Sequence, residues 1–383
     1  MTGASLEPGA VLGVLGGGQL GAMFAGAARR MGYPVAIWDP DPDAPALKLA
    51  ELPLVASFTD KPAFEKFSTS INAATYEWEN IPASMVQALE HRVPVRPAAR
   101  ILRIIQNRLE QKNFLASCNI PVAPFHAVTS SDQLAVPQSI GFPALCKTAT
   151  LGYDGKGQWQ LSDQEDVRRT QNELAGQAQH TWIVERFLPF EKELSVLVVR
   201  GANGDRRLYP VVENVHEGGI LKTTRVPAAI DDKTAGQAAA LAGATIDALN
   251  GVGVFCVELF LMNDGRLFVN EVAPRPHNSG HYTLDACTVS QFEQQVRAVC
   301  GLPLGDVKLT SPAAMVNLIG EDFTKATTDA GIQTFLRDAG ATLHVYGKKS
   351  VRPGRKMGHV TFLADRREIA AERATSLISR LAG

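Results

Sequence analysis

The sequence predicts an open α/β unit followed by mixed α+β structure, divided into two or three domains. Three observations carry this. The chain has 383 residues and the composition of an ordinary soluble globular protein, enough for more than one core. Its start, Val11 to Asp39, alternates strand, glycine-rich turn, Ala-rich helix and strand, as a parallel βαβ unit does. Between Trp182 and Val226, apolar strands follow one another through tight turns, which predicts an antiparallel sheet. The net charge of -1 supplies no basic field for nucleic acid or an anionic membrane. The five cysteines (Cys118, Cys146, Cys256, Cys287, Cys300) are odd in number, widely spaced and without C-x-x-C. They predict reduced, buried thiols in a cytoplasmic protein. MTGASLEPGA lacks the basic and apolar regions of a signal peptide, and no apolar run reaches membrane-spanning length.

The first strand, Val11–Leu15, runs into Gly16-Gly17-Gly18-Gln19-Leu20-Gly21 and a helix to about Met31. A second strand, Val35–Trp38, ends at Asp39. Alone, this G-x-G-x-x-G with a following acid predicts a dinucleotide site. The same turn serves any phosphate or polar ligand at a helix N-terminus, or none. Leu54–Phe58, a helix near Pro62–Phe67 and a strand ending at Tyr76 continue the alternation. Glu77-Trp78-Glu79-Asn80 then places two carboxylates and an amide at the ligand edge of an open sheet; one of these residues also suits an N-cap for the helix after Pro82. A single helical stretch, Ala98–Ser117, closes the unit, and Arg108 on it reads most simply as a solvated charge. Asn119-Ile120-Pro121 marks a boundary.

Next comes a short strand, Ala144–Lys147, then Gly152-Tyr153-Asp154-Gly155-Lys156-Gly157-Gln158, then Trp159–Leu161. A strand lysine ahead of a glycine-rich hairpin makes a phosphate cover: Lys147 brings charge, and the glycines let backbone N–H groups approach. No G-K-[ST] opens a helix, so this is not a Walker A loop. Ser162 and Glu165 predict a capping box. Trp182–Glu185, running into Arg186-Phe187-Leu188, is an extended segment whose backbone edges can read an adenine ring. Glu193 can accept bonds from ribose hydroxyls. Tyr209–Val212, His216 before Gly218-Gly219, and Thr223–Val226 extend the sheet beside a helix from Asp231 to Leu249.

From Val254 to Thr283 the chemistry concentrates. Asp264-Gly265 predicts a two-residue type I′ hairpin loop, with Asn263 facing Arg266. Glu258 then stands opposite Glu271, their Cβ atoms roughly 5 Å apart; a longer loop would slip this register. A lone strand glutamate reads as solvated. An opposed pair in an apolar hairpin, followed at once by Arg275, His277, Asn278, Ser279 and His281, reads as a metal–phosphate site suited to Mg²⁺, which takes oxygen ligands and keeps positions for water and phosphate. His277 and His281 have zinc-helix spacing, but Gly280 argues against a helix there. After a second boundary at Pro303–Pro312, the chain reads as strand Ala313–Ile319, helix Lys325–Asp338, strand Thr342–Tyr346, a basic turn, strand Val360–Leu363 and a final helix. A basic turn is ordinarily solvated. Here Pro353-Gly354 fixes its shape, and Lys348, Lys349, Arg352, Arg355 and Lys356 suit an anionic ligand.

Taken together, GGGQLG, YEWENIP, NRLEQK, GYDGKGQ, VER, VELF, NEVAPRPHNSGH and RPGRKMGH resemble the ATP-grasp carboxylate–amine ligases. Among them they are most similar to the N5-carboxyaminoimidazole ribonucleotide synthetases of de novo purine biosynthesis. The match runs from about Val11 to Leu363. NEVAPRPHNSGH and RPGRKMGH are specific to this branch; the glycine turn and paired glutamates are shared more widely. The resemblance implies an N-terminal pre-ATP-grasp α/β domain (1–120), a two-part ATP-grasp module (lid 121–188, large part 189–308) and a small C-terminal domain (309–383). It implies that ATP, bicarbonate and 5-aminoimidazole ribonucleotide give N5-carboxyaminoimidazole ribonucleotide, ADP and phosphate through carboxyphosphate, in a cytoplasmic homodimer that binds neither nucleic acid nor membrane.

Carried over to this chain, the resemblance implies that Glu258 and Glu271 hold Mg²⁺. Arg108, Lys147 and the loop Tyr153, Asp154, Gly155, Lys156, Gly157 and Gln158 meet ATP phosphates. Glu185, Arg186, Phe187 and Leu188 form the adenine hinge, Glu193 meets ribose, and His216 and Asn270 complete the nucleotide site. Arg275, His277, Asn278 and Ser279 hold bicarbonate and carboxyphosphate. Gln19, Glu77, Tyr153, Asp154, Lys156, Lys348, Arg355 and Lys356 form the ribonucleotide pocket. The chain departs from the family pattern at Ala22, where many relatives carry Arg, and at Tyr76 and Trp78, where Phe is common. That leaves Glu77 or Glu79 as the substrate carboxylate, with Glu77 preferred. A formate-dependent glycinamide ribonucleotide transformylase would share the glutamates but lack HNSGH and RPGRKMGH in this arrangement. An NAD-dependent oxidoreductase would leave the hairpin and the basic turn unexplained, and a third alternative is a non-catalytic nucleotide-binding module.

Overall fold

The computed structural model describes residues 5–150, 152, 157–176 and 181–382; Tyr153, Asp154, Gly155 and Lys156 lie outside them. The first unit is a parallel sheet of β1 (Leu12–Leu15), β2 (Val35–Asp39), β3 (Leu52–Val55) and β4 (Ala73–Tyr76), in the order β3-β2-β1-β4. β1 and β4 are buried throughout, as expected of parallel strands covered on both faces. The expected long helix breaks at Asn107, whose backbone is extended and whose side chain accepts from Leu109 N–H and Glu110 N–H. Helices Ala99–Gln106 and Arg108–Ser117 result, and Arg108 becomes the first residue of a helix.

A second, antiparallel sheet holds β5 (Phe125–Val128), β6 (Ala144–Thr148), β7 (Gln158–Leu161) and β8 (Trp182–Arg186), in the order β5-β8-β6-β7. The helix between β7 and β8 is capped by Asp163, not Ser162.

The third sheet begins with β9 (Phe190–Arg200), β10 (Arg206–Leu208), β11 (Val212–Glu217), β12 (Ile220–Val226), β13 (Gly253–Met262) and β14 (Leu267–Ala273). Of the expected strand Tyr209–Val212, only Val212 is in a strand, as the first residue of β11; residues 209–211 link β10 to β11. The C-terminal stretch contributes β15 (Ala313–Ile319), β16 (Ala341–Val345) and β17 (Lys356–Leu363) to this same sheet. Its order is β14-β13-β9-β11-β12-β15-β17-β16, with β10 on β9. The expected helix Lys325–Asp338 is two, Glu321–Ala326 and Asp329–Leu336, with Thr328 capping the second. The helix Gln291–Cys300 ties the units together. Its Phe292, Val296 and Val299 pack with Leu12, Val14 and Phe24 under the first sheet, and its Ala298 packs with Leu197 and Val254 of β9 and β13.

Candidate active site

The hairpin differs from expectation twice, and the differences cancel. Met262 N–H donates to Arg266 C=O and Gly265 N–H to Met262 C=O. The loop is therefore Asn263-Asp264-Gly265, with Gly265 at φ +83°, a three-residue hairpin rather than the two-residue type I′ loop. Leu261 pairs with Leu267, Phe260 with Phe268 and Leu259 with Val269; the register then shifts, and Glu258 pairs with Glu271. Asn270 is the extra residue of a β-bulge. The loop removes one residue from β13 and the bulge removes one from β14, so the carboxylates still face each other. Asn270 joins Glu271 on the same wall.

That wall belongs to a cleft of about 650 Å³ where the three sheets meet. The small sheet contributes Lys147 and Gln158. The large sheet contributes Glu193, His216, Glu258, Phe260, Asn270 and Glu271, and Lys356 from β17. The segment after β14 brings Arg275, His277 and Asn278. The first unit and its helices bring Trp78, Glu79, Asn80 and Arg108. Each hairpin carboxylate has a cationic partner: Glu271 Oε2 is 2.5 Å from Arg108 Nη1, and Glu258 Oε1 is 3.1 Å from His277 Nε2. Arg108 is thus a cleft residue and not a solvated charge. Burial would raise Glu258's pKa, but the hydrogen bond and charge of His277, with His216 and Lys356, hold it low. His216 in turn pairs with Glu193. Ser279 lies just beneath, fully buried; its Oγ is 2.9 Å from His277 Nδ1 and 2.9 Å from Ser195 Oγ.

Other expected residues stand elsewhere. Glu185 is buried, with its oxygens 2.6 Å from Lys147 Nζ and 3.2 Å from Lys112 Nζ. Arg186 N–H donates to Pro124 C=O and Phe187 N–H to Pro143 C=O. Those edges are engaged, and residues Glu185 to Leu188 are not on the cleft wall. Neither are Gln19, Glu77, Lys348 and Arg355. Glu77 instead fills the glycine turn: it accepts from Gly18 N–H at 2.5 Å and Gly21 N–H at 2.7 Å. A Cβ on Gly18 would stand 2.5 Å from Glu77 Oε1, so glycine there is a requirement of close approach. Asp39 accepts from Gly17 N–H at 2.6 Å. The donors and the acid that a dinucleotide would use are thus already engaged, Gly18 and Gly21 by Glu77 and Asp39 by Gly17. Glu79 is the carboxylate that reaches the cleft, 2.8 Å from Arg275 Nη2. Lys348 Nζ donates to Lys356 C=O, and Arg355 binds Ser350.

Sequence reasoning missed Lys112, Gln111, Phe190 and Phe260. The last two stack at 4.5 Å between ring centroids beside the cleft. Their pairing across strands left no local signal. Of the polar atoms on the cleft wall, both amide atoms of the buried Asn278 have no hydrogen-bond partner among the described residues. Oxygen donors face the cleft at Glu258, Asn270 and Glu271. Cys256, Glu258 and His277 also hold ligand atoms within 4.8 Å of one another, but the Cys256 thiol is fully buried behind them.

Three family models match this chain. The ribonucleotide synthetase preATP-grasp domain covers residues 10–106, the ATP-grasp domain 113–292, and the phosphoribosylaminoimidazole carboxylase C-terminal domain 313–373. The N5-carboxyaminoimidazole ribonucleotide synthase of Bacillus subtilis (strain 168) is 42% identical over 360 residues, 94% of this chain and 92% of that protein. Among solved structures, N5-carboxyaminoimidazole synthetase from Staphylococcus aureus complexed with ADP superposes with a TM-score of 0.91 at 34% identity, covering 98% of both chains. The synthase of Aspergillus clavatus in complex with ADP and 5-aminoimidazole ribonucleotide does so at 0.89 and 31%, covering 98% of this chain and 99% of that one. On this whole-length agreement of sequence and fold, the chain belongs to the N5-carboxyaminoimidazole ribonucleotide synthase family of ATP-grasp ligases.

Proposed function

We propose that this protein uses ATP to carboxylate 5-aminoimidazole ribonucleotide with bicarbonate, forming N5-carboxyaminoimidazole ribonucleotide, ADP and phosphate in purine biosynthesis. One observation carries the reading. A single cleft joins the opposed Glu258–Glu271 pair, the Arg275–Asn278 segment and Lys356 of the basic turn. A bicarbonate oxygen attacks the γ-phosphorus of ATP, ADP leaves, and carboxyphosphate forms. Its collapse releases phosphate and CO₂, which the substrate's exocyclic amine takes up with loss of a proton. Phosphoryl transfer asks the protein for positioning and charge neutralisation. Lys147 and Arg108 supply cations on one side of the cleft and Arg275 on the other. The unpartnered amide of Asn278 offers a donor and an acceptor to bicarbonate. Phe190 and Phe260 offer an apolar surface for the adenine.

Mg²⁺ fits the chain's own residues, since Glu258, Glu271 and Asn270 present hard oxygen donors to one space. When bound there it neutralises charge on the β- and γ-phosphates. The ribonucleotide is assigned to Lys356 with Lys348, Arg355, Gln19 and the Tyr153–Lys156 loop. Glu79 supplies the carboxylate that faces the cleft, and Glu77 shapes the turn beside it. The division at 120, 188 and 308 and a cytoplasmic homodimer belong to the same proposal; the five free cysteines support a reducing compartment. No helix of the described residues is long and apolar enough to cross a membrane.

Phosphate release from ATP tests the reaction. We expect it to require both bicarbonate and aminoimidazole ribonucleotide. Release unchanged when bicarbonate is omitted rules the reaction out.

A further inference from the structure

The segment from Arg275 to His277 lies outside any helix or strand and leads into a short turn, Asn278–Gly280. With the first residue of that turn it nevertheless sets three side chains, Arg275, His277 and Asn278, at the cleft. Its anchor is Gln291, fully buried at the start of the helix Gln291–Cys300. Gln291 Oε1 accepts from His277 N–H at 2.8 Å, and Nε2 donates to His277 C=O at 2.8 Å. One side-chain amide thus satisfies both backbone groups of one residue, as a neighbouring strand would. Nε2 also lies 3.2 Å from His281 Nδ1. Gln291 is itself fixed. Its N–H donates to Thr283 Oγ1 at 3.0 Å, and that hydroxyl donates to Gly280 C=O at 2.6 Å. The fit is close enough that a Cβ on Gly280 would stand 2.6 Å from Gln291 Oε1.

We propose that Gln291 is a positioning residue for the reaction: by clamping the His277 peptide it sets where Arg275, His277 and Asn278 stand in the cleft. This rests on the reaction proposed above. Gln294, on the same helix and also fully buried, supplies an internal control. Its amide makes the same two-point pairing with Gly305, at 3.1 and 2.7 Å, and neither residue lines the cleft.

Gln291→Leu and Gln294→Leu each delete one buried two-point amide at similar volume. Both are compared with wild type in thermal unfolding and in a steady-state assay of phosphate and carboxylated product. A small displacement of reacting groups costs about 100-fold, so we expect Gln291→Leu to lower kcat by about 10- to 100-fold with the KM for ATP held within about twofold. Gln294→Leu should lose a similar amount of thermal stability while its kcat stays within about twofold of wild type. Gln291→Glu keeps the acceptor for His277 N–H and should recover part of the loss. Equal kcat losses in the two leucine variants, or wild-type kcat in Gln291→Leu, overturn the proposal. If Gln291→Leu does not fold, Gln291→Glu against Gln294→Glu gives the same decision. A wild type indifferent to bicarbonate overturns the assigned reaction; a bicarbonate-dependent wild type with an unimpaired Gln291→Leu overturns only the positioning role.

Discussion

Glu185 is held between two lysines, and neither lysine has another buried carboxylate within salt-bridge distance among the described residues. Burial would raise its pKa, but Lys112 and Lys147 outweigh that and pull it below the usual carboxylate value of 4.5. The sign follows. A carboxyl whose folded pKa is depressed contributes stability above its unfolded value, and that contribution fades as pH falls through the folded value. Removing one partner of a buried ion pair costs about 3–5 kcal/mol, so Glu185→Leu should destabilise by about that much in chemical denaturation, and a cost under about 1 kcal/mol would remove the triad's structural role. Glu271→Gln should lose Mg²⁺-dependent turnover while folding normally, since that side chain is partly exposed at the cleft; wild-type turnover would end its metal role. Lys147 and Glu185 were each legible as residues of interest. Their mutual neutralisation was not, because it depends on β6 and β8 being neighbours, a register that separated segments do not announce.

At the scale of the element, the hairpin shows how a correct pairing can rest on an incorrect loop. Asp264-Gly265 signals a turn, and a turn is there. Nothing local distinguishes a two-residue from a three-residue loop, and no glycine marks the bulge in β14. The opposed glutamates were legible because both irregularities change strand parity, once each. The bulge has its own chemical effect: it turns Asn270 onto the face of Glu271. We expect Asn270→Ala to raise the Mg²⁺·ATP concentration needed for half-maximal rate by about tenfold, the equivalent of about 1.4 kcal/mol for one charge-assisted contact. Equilibrium unfolding should be unchanged within about 0.5 kcal/mol, and an unchanged half-maximal concentration would exclude Asn270 from the site. The glycine turn was legible as a ligand-shaped feature for a similar reason. Only the contact with Glu77, far along the chain, shows that its amides already have an acceptor.

Across the whole molecule, the C-terminal stretch is joined to the rest through a stack of imidazoles. His344 on β16 lies over His359 on β17 at 4.4 Å between centroids, and His281 is 4.9 Å from His359. Asp285 meets His344, and Tyr346 Oη meets His359 Nδ1 at 2.8 Å. Asp285, His344 and His359 hold their ligand atoms within 4.8 Å of one another. His281 and His359 are fully buried. Burial first, then neighbouring cations, hold both well below 6.5. The unfolded chain takes up these protons below about pH 6.5 and the folded chain does not, so stability falls as the solution is acidified, by about 1.4 kcal/mol per pH unit for each histidine. The thermal midpoint should drop steadily from pH 6.5 to 5.5, and less steeply in His359→Gln; identical slopes would exclude the stack as the cause. The sequence showed His359 only as the last letter of a basic motif, since its partners come from two other segments, one at His281 and one at His344 and Tyr346.

The shared sheet has a geometric consequence. β15 is hydrogen-bonded directly to β12, so the hairpin carrying Glu258 and the strand carrying Lys356 are rungs of one ladder. The sheet β5–β8 forms a separate ladder, and the chain leading into β5 is bridged to β14 at Val122–Val269. Lys147 and Gln158 stand on that separate ladder, while the span from Glu258 to Lys356 is set by the rungs of a single sheet. A ligand reaching from Lys147 to Lys356 therefore spans both ladders.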